Sequence, residues 1–249
     1  MENYVEKYFS LANEHLNVVA RESGAAIAQA AEVVATAIQN DGMFYLFGSG
    51  HSALIAKDAA YRAGGLAPVL TIDDVADGDA ERVEGLAQYI LARYDLRAGS
   101  AIAIISNSGI NPTPIEVALL TKQLGLSVIV ITSLSHSQSV ASRHSSGKKL
   151  YELGDIVIDT HGVPGDATIE LPESQIKSGA LSTVIGAAIV QAITVQTASL
   201  LIERGGKAPI WISANVPGGD SNNKALLEKY RPQMARYQMA VLPKVKSIT

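Results

Sequence analysis

The sequence predicts an α/β protein built on a mostly parallel sheet wrapped by helices, and two features predict it. From Met43 onward, short apolar runs of strand length alternate with gaps long enough to hold a helix, the pattern of repeated βα units. Two of those runs then break in the same way. Ala101 to Asn111, AIAIISNSGIN, stops at Ser106, passes through Ser106-Asn107-Ser108-Gly109 and restarts as a helix at Asn111-Pro112. Met43 to Ala53, MFYLFGSGHSA, breaks at Gly48-Ser49-Gly50-His51-Ser52 before a second helical stretch. A strand, a loop of small donors and a helix N-terminus bring backbone N–H groups and the positive end of a helix dipole beside hydroxyls, which suits a phosphate. Two such loops facing one another would make a pocket for one small phosphorylated molecule.

Taken in order, Tyr4 to about Gln39 is alanine-rich with apolar residues at helical spacing, among them Val18, Ile27, Ala30, Val33, Val34, Ala37 and Ile38. This predicts one long helix, or two joined at Gly24, closed by the Asn40-Asp41-Gly42 turn and serving as a packing arm. A strand is expected at Met43–Phe47, with its helix from Ser52 to Ala63, and a second strand at Ala67–Ile72. An acidic loop with Asp73, Asp74, Asp77, Asp79 and Glu81 follows, then a helix to about Tyr94. The strand Ala101–Ile105 precedes a helix Pro112–Leu124, for which Asn111 is a good cap and Pro112 takes the first helical position. Further strands are expected at Ser127–Ile131 and Ile156–Ile158. Between them Leu134 to Lys149 is serine-rich and basic, with His136, Arg143, His144, Lys148 and Lys149. It reads as a mobile loop at the C-terminal edge of the sheet, a solvated connection by itself and a functional one beside anion-binding loops. After the turn-rich His161 to Asp166, an apolar helix is expected from Ile176 to Arg204, ended by Gly205-Gly206. Pro209–Ser213 reads as a short extended piece. Turn formers from Asn215 to Asn223 lead into a last helix at about Lys224 to Tyr237, and a basic tail with Lys244 and Lys246 is expected to fray.

Composition narrows the function. The 249 residues suffice for one generous domain, and 47% hydrophobic with 18% charged residues argues against disorder. A net charge of −4 gives no basic surface for nucleic acid, and no helix-turn-helix or basic arm is visible. The absence of cysteine excludes disulfides, thiolate catalysis and cysteine-ligated metals, in keeping with a cytoplasmic protein. The N-terminus has no apolar core of a secretory signal. Val184 to Ile202 carries no charge and approaches the roughly 20 residues of a membrane span. However, Gln191, Thr194, Gln196, Thr197 and Ser199 would sit in hydrocarbon, so a buried or dimer-interface helix is expected, with no membrane partner. His51, His136, His144 and His161 match no standard ligand spacing, so no metal or other cofactor is expected.

The order of the motifs adds a resemblance. GSGHS after the first strand, SNSG after the third, Thr132-Ser133 after the fourth and Pro172-Glu173 before the long helix together resemble a SIS (sugar isomerase) domain. The match runs from about Met43 to Gly205, and the preceding helices are also typical of the group. SNSG-x-NP-x-PIE, SRHSSGKKLYELGD, PGDA and SANVPGGDSNN further resemble a bacterial group of sugar-isomerase-domain proteins related to the phosphoheptose isomerases, a group with no assigned substrate. The resemblance implies a three-layer αβα sandwich whose five-stranded parallel sheet has the flavodoxin-like order 2-1-3-4-5. It implies a single domain over 1–249, with a helical arm at 1–41, a core at 42–205 and a C-terminal loop, helix and tail at 206–249. In that order strands 1 and 3 are neighbours, and the crevice between their loops binds the ligand.

By the same resemblance, Ser52, Ser106, Asn107 and Ser108 hold a sugar phosphate, with Asn111 at the nearby helix cap and Ser49 and Ser133 as further candidates. One departure stands out. Arg62 occupies the position at which phosphoheptose isomerases carry a catalytic glutamate, and an arginine cannot abstract a proton at neutral pH. Their Glu-x-His on the long helix is also missing, since Ser174 and Gln175 follow Glu173. Aldose–ketose isomerisation requires a base between C1 and C2 and an acid for the enediolate. Glu173 is the expected base, since other SIS enzymes place a glutamate just before this helix, although a Pro-Glu pair at a helix start also suits the helix dipole. His161 and His51 are the expected acid or ring-opening groups, and His51 could equally contact phosphate. The expected function is a phosphosugar isomerase; the alternative is a non-catalytic sugar-phosphate sensor, and a lyase or epimerase on the same site comes third. A homodimer or dimer of dimers is expected from the apolar face of the long helix, with the sites near the subunit boundary.

Overall fold

The structure, a computed structural model, describes residues 2–172 and 174–234. The N-terminal arm is two helices, α1 (Tyr4–Glu22) and α2 (Gly24–Gln39), parted at Ser23. Asn3 caps α1 by accepting the Glu6 N–H, and α2 buries the stripe Ile27, Ala30, Ala31, Val34, Ala37 and Ile38, the spacing of one helical face. There follow β1 (Phe44–Gly48), α3 (His51–Ala59), β2 (Val69–Ile72), α4 (Leu86–Leu91), β3 (Ala101–Ile105), α5 (Pro112–Gln123), β4 (Ser127–Thr132), α6 (Leu134–Ser139) and β5 (Ile156–Asp159). These strands form one all-parallel sheet of order β2-β1-β3-β4-β5, as the resemblance implies. β1 and β3 pair in register from Phe44 against Ala101 to Gly48 against Ile105, so their C-terminal loops leave the sheet side by side.

Both faces of the sheet are covered, and the strand period of two decides which side chain goes where. Phe44, Leu46, Ala101, Ala103, Ile105, Ile129 and Ile131 join the core formed with α2, α3 and the long C-terminal helix. Met43, Tyr45, Phe47, Ile102, Ile104, Val128 and Val130 face the opposite core with α4 and α5. Each large aliphatic side chain buried in this way contributes about 1.5–3 kcal/mol.

Two segments differ from expectation. Leu134 to Lys149 is not a plain loop. Ser133 caps α6 by accepting the His136 N–H, so a serine-rich stretch becomes helical at its start, and the remainder is bonded down as described below. The apolar helix does not begin at Ile176. Lys177–Ala180 is a strand, β7, antiparallel to β6 (Ala167–Glu170), and α7 (Ser182–Glu203) starts after it. Gly179 has φ +79°, a left-handed conformation foreign to a helix interior. Asp166 then accepts from the Leu181 and Ser182 N–H groups and from the Ser182 hydroxyl, which sets the helix start.

By length and composition α7 could cross a membrane, yet half of its most apolar stretch is buried within the protein. It packs between α2 and α3. A Cβ at Gly186 would lie 2.5 Å from Ile55 Cδ1, so α3 and α7 touch backbone to side chain. Val184, Val195 and Ile202 point outward. Residues 209–211 run antiparallel to the segment before β2, through Ala67 N–H to Pro209 O and Trp211 N–H to Gly65 O. The last helix, α8, covers Gly219–Met234; the expected helix end at Tyr237 and the tail with Lys244 and Lys246 lie outside the described residues.

Candidate functional site

The two serine-bearing loops meet at the C-terminal edge of the sheet. After β1, Gly48 passes directly beneath the first turn of α3: a Cβ there would stand 2.5 Å from the Ser52 carbonyl oxygen and 2.9 Å from the Ala53 nitrogen. Gly50, with φ 55° and ψ −130°, then turns the chain into the helix. Ser49 Oγ is buried with no hydrogen-bond partner among the described residues. After β3, Ser106 Oγ accepts the Gly109 N–H in a tight turn, and Gly109 at φ +60° lets the chain pass Thr132 and Ser137. The amides of Asn107 and Ser108 have no partner among the described residues, and Asn107 Oδ1 is buried and equally without one. Ser52, Asn107, Thr160 and Ser182 line a small cavity floored by Ile55, Ile105 and Ile131. Buried polar atoms without partners are uncommon in folded proteins. Here Ser49 Oγ and Asn107 Oδ1 are two such atoms, one on each loop, and Asn107 shares the small cavity with Ser52.

The start of α5 contributes less than its sequence suggests. Pro112 and Pro114 have no N–H, and the Thr113 N–H is bonded to Glu81 O at 3.1 Å. Asn111 does not cap the helix. Its side chain turns outward, donating from Nδ2 to Glu81 Oε1 at 2.7 Å and accepting at Oδ1 from Arg143 at 2.7 Å. Asn111 is therefore a buried bridge between the loop after β2 and the basic segment after α6.

These two segments roof the crevice. The loop after β2 is shaped by the buried Asp74, which accepts the Ala76 and Gly78 N–H groups. It presses Gly78 on Gly50 of the first loop, so closely that a Cβ at Gly78 would reach Gly50 Cα at 2.9 Å. The basic segment is tied down at several points. Arg143 N–H bonds to Ile110 O, Ser145 donates to Glu84 through both amide and hydroxyl, and Lys149 donates to Ser137 O. Burial pushes the Glu81 carboxyl above its ordinary pKa, partly offset by Arg82 and Arg143. His136, whose Nδ1 is buried without a partner among the described residues, is pushed down by burial and then by Arg143, with Asp166 opposing.

The remaining candidates divide. Ser52 and Asn107 line one cavity, and Ser49, Ser106 and Ser108 lie on the two loops that leave neighbouring strand ends. Ser133 lies beneath them, fully buried, its hydroxyl donating to Gly162 O at 2.6 Å while capping α6; it braces the loop after β5 against Asn107. His51 opens α3 and is exposed. His161 turns away from the crevice. Its Nδ1 lies 3.4 Å from Asp159, its Nε2 3.1 Å from the Ser23 hydroxyl, and it borders a separate cavity with Leu11, His15 and Val18 of α1. Glu173 lies outside the described residues, and the helix expected to begin just after it starts at Ser182. Arg62 pairs with Asp58 on the exposed side of α3. Among the described residues no group of three or more His, Asp or Glu side chains could hold a metal ion. Glu81 and Arg143, linked through Asn111, and His136 are candidates to which sequence reasoning gave no individual role. The available signal was that Glu81 and His136 both follow strands of the sheet, on its C-terminal side.

Comparison with known proteins agrees with this fold. A model of the SIS domain family matches residues 7–133. UPF0309 protein GK1441 of Geobacillus kaustophilus is 40% identical over 239 residues, covering 92% of this chain and 95% of the relative. Among solved structures, phosphoheptose isomerase from Neisseria gonorrhoeae superposes with a TM-score of 0.56 at 18% identity, over 79% of this chain and 97% of that one. The Vibrio vulnificus NanR protein complexed with ManNAc-6P superposes with a TM-score of 0.53 at 19% identity, over 94% of this chain and 71% of that one.

Proposed function

The chain belongs to the SIS domain family, with UPF0309 proteins as its relatives, and from that premise we propose that it is a cytoplasmic aldose–ketose isomerase acting on a sugar phosphate. The observation that carries the proposal is the set of donors without partners among the described residues at the β1–β3 switch point, the buried Ser49 hydroxyl and the amides of Asn107 and Ser108, beside Asn107 Oδ1, which can accept from a sugar hydroxyl. In this reading the phosphate sits between the two loops, held by Ser49, Ser52, Ser106, Asn107 and Ser108. Asn111 and Ser133 fix the loops from beneath and from the side, and His51 stands at the mouth, within reach of the phosphate or the ring oxygen. His161, held by Asp159 and Ser23 on the α1 side, takes no part in this reading, and Glu173 lies outside the described residues. The phosphate end supplies orientation, so that the C1–C2 end meets the roof. The exposed Val184, Val195 and Ile202 of α7 form the face on which we place a homodimer.

Similarity to NanR, which is recorded in complex with ManNAc-6P, supports a second reading, a sensor that binds a sugar phosphate without turning it over. Proton NMR in D2O separates the two. Deuterium entering C1 or C2 of a bound phosphosugar is expected for the isomerase, whereas binding without exchange across a panel of aldose and ketose phosphates would overturn it in favour of the sensor. Failure of every sugar phosphate in the panel to raise the thermal midpoint would overturn both.

A further inference from the structure

We propose that Glu81 is the base that moves the carbon-bound proton; this rests on the isomerase reading and supplies the group that Arg62 cannot. The placement comes first. Glu81 is held between the two phosphate loops, since its own loop packs Gly78 on Gly50 while its carbonyl accepts the Thr113 N–H at the start of α5. The carboxylate therefore stands beside Asn111, where the segment after β2 meets both loops, and we place the C1–C2 end of the sugar there.

The carboxylate has the anchoring a base needs. One oxygen, Oε1, accepts from Asn111 Nδ2 at 2.7 Å, and Asn111 is buried and itself fixed by Arg143. The other, Oε2, has no hydrogen bond among the described residues. Four other carboxylates are engaged in building the fold here, and Asp77 and Asp79 of the same loop are exposed. Asp74 accepts two amides of its loop, Glu84 accepts Ser145 twice, Glu116 accepts the amides of Gly85 and Ala87, and Asp166 starts α7. Glu81 combines partial burial with a free oxygen. Burial also raises its proton affinity toward the working range of a general base, while Arg143 keeps it ionisable.

In the step assigned to it, Glu81 takes the proton from C2 of the open-chain aldose. The C–H electron pair forms the C1–C2 double bond, and the carbonyl pair moves to O1. Glu81 then returns its proton to C1 as the O2 carbonyl forms. We assign the exchange at oxygen to His136, on α6 with its Nδ1 buried and without a partner among the described residues: it gives a proton to O1 and takes one from O2, so both groups finish as they began.

The experiment uses fructose 6-phosphate and ribulose 5-phosphate as probes, with wild type, Glu81→Gln and Glu81→Ala compared by calorimetric binding and by exchange in D2O. Glu81→Gln keeps the shape and the Asn111 bond, so it is expected to bind the probes within about threefold of wild type while its exchange rate falls by about a hundredfold to ten-thousandfold. Acetate is expected to restore part of the exchange to Glu81→Ala. Wild-type exchange rates in Glu81→Gln would overturn the assignment and leave the isomerase reading standing. A rate loss matched by an equal loss of affinity, unrelieved by acetate, would make Glu81 a positioning residue only. Binding without exchange in the wild type would overturn the isomerase reading and this assignment together.

Discussion

The loops Gly48–Ser52 and Ser106–Asn111 look like twins in the sequence and work differently in the fold. The first is a turn into a helix: Gly48 allows the helix to sit on the strand end, Gly50 turns the corner, and Ser49 keeps a buried hydroxyl without a partner among the described residues. The second leads to a helix whose donors have been removed, because Pro112 and Pro114 lack an N–H and Thr113 is bonded to Glu81. Its free donors lie in the loop itself, at Asn107 and Ser108. One strand–loop–helix pattern therefore yields two kinds of anion contact, one with helix-dipole support and one from an isolated nest of amides. The difference also frees Asn111, which would otherwise cap α5, to connect the roof segments.

Substitutions can break this contrast. The largest effect is expected at Gly48. Glycine to alanine there drives a Cβ into backbone atoms of Ser52 and Ala53, and a loss of about 3 kcal/mol should appear in urea unfolding. At Gly109 the same change meets the side-chain oxygens of Thr132 and Ser137 and a positive φ, so about 1–2 kcal/mol is expected. Equal losses would show that the two turns are equally constrained. Next, Asn107→Ala should weaken phosphosugar binding by about 1–3 kcal/mol in calorimetry, and leave unfolding nearly unchanged because Oδ1 has no partner to lose among the described residues. Ser106→Ala combined with Ser108→Ala should cost about 1 kcal/mol of affinity per hydroxyl, with a small stability loss from the Ser106–Gly109 bond; unchanged affinity would remove the phosphate from the second loop.

The smallest effect concerns the link that Asn111 makes. Because burial raises the Glu81 pKa, the folded protein binds that proton more tightly than the unfolded chain does. Its favourable linkage is complete below the unfolded pKa and disappears as pH rises through the folded value, leaving a buried charge above it. Glu81→Gln should therefore slightly raise the thermal midpoint at pH 7, and the gain should vanish as pH falls through the raised value. A mutant less stable than wild type at pH 7 would mean that the charged form is what Asn111 and Arg143 hold in place.

Local signals carried much of the fold. Ala101–Ile105 is a strand over the expected residues, since a branched apolar run bounded by turn formers has few alternatives, and the break expected at Gly24 falls one residue earlier, at Ser23. The sheet order came from the resemblance, because no local pattern states which strands are neighbours. The errors arose where distant residues decide. Whether 176–181 extends a helix or pairs as a strand depends on Asp166 capping Ser182 and on the partner strand Ala167–Glu170. The site was legible as serines and asparagine after strands, but not as a working group. Glu81, Asn111 and Arg143 meet through tertiary placement, and their separate readings as acidic loop, helix cap and basic connection contained no hint of the bond. Ser133 was selected for its position, and its hydroxyl braces the fold instead.

The contact between Ile55 and Gly186 has a bearing on how this family can drift. The branched end of Ile55 fills the space that any side chain at 186 would claim, so the two positions share a single volume. Alanine at 186 should be tolerated only beside a shorter residue such as valine at 55, and a double-mutant cycle should show the two changes compensating. Among descendants of this fold the pair should therefore change in tandem, large with small, leaving a correlated substitution as its record in the sequences.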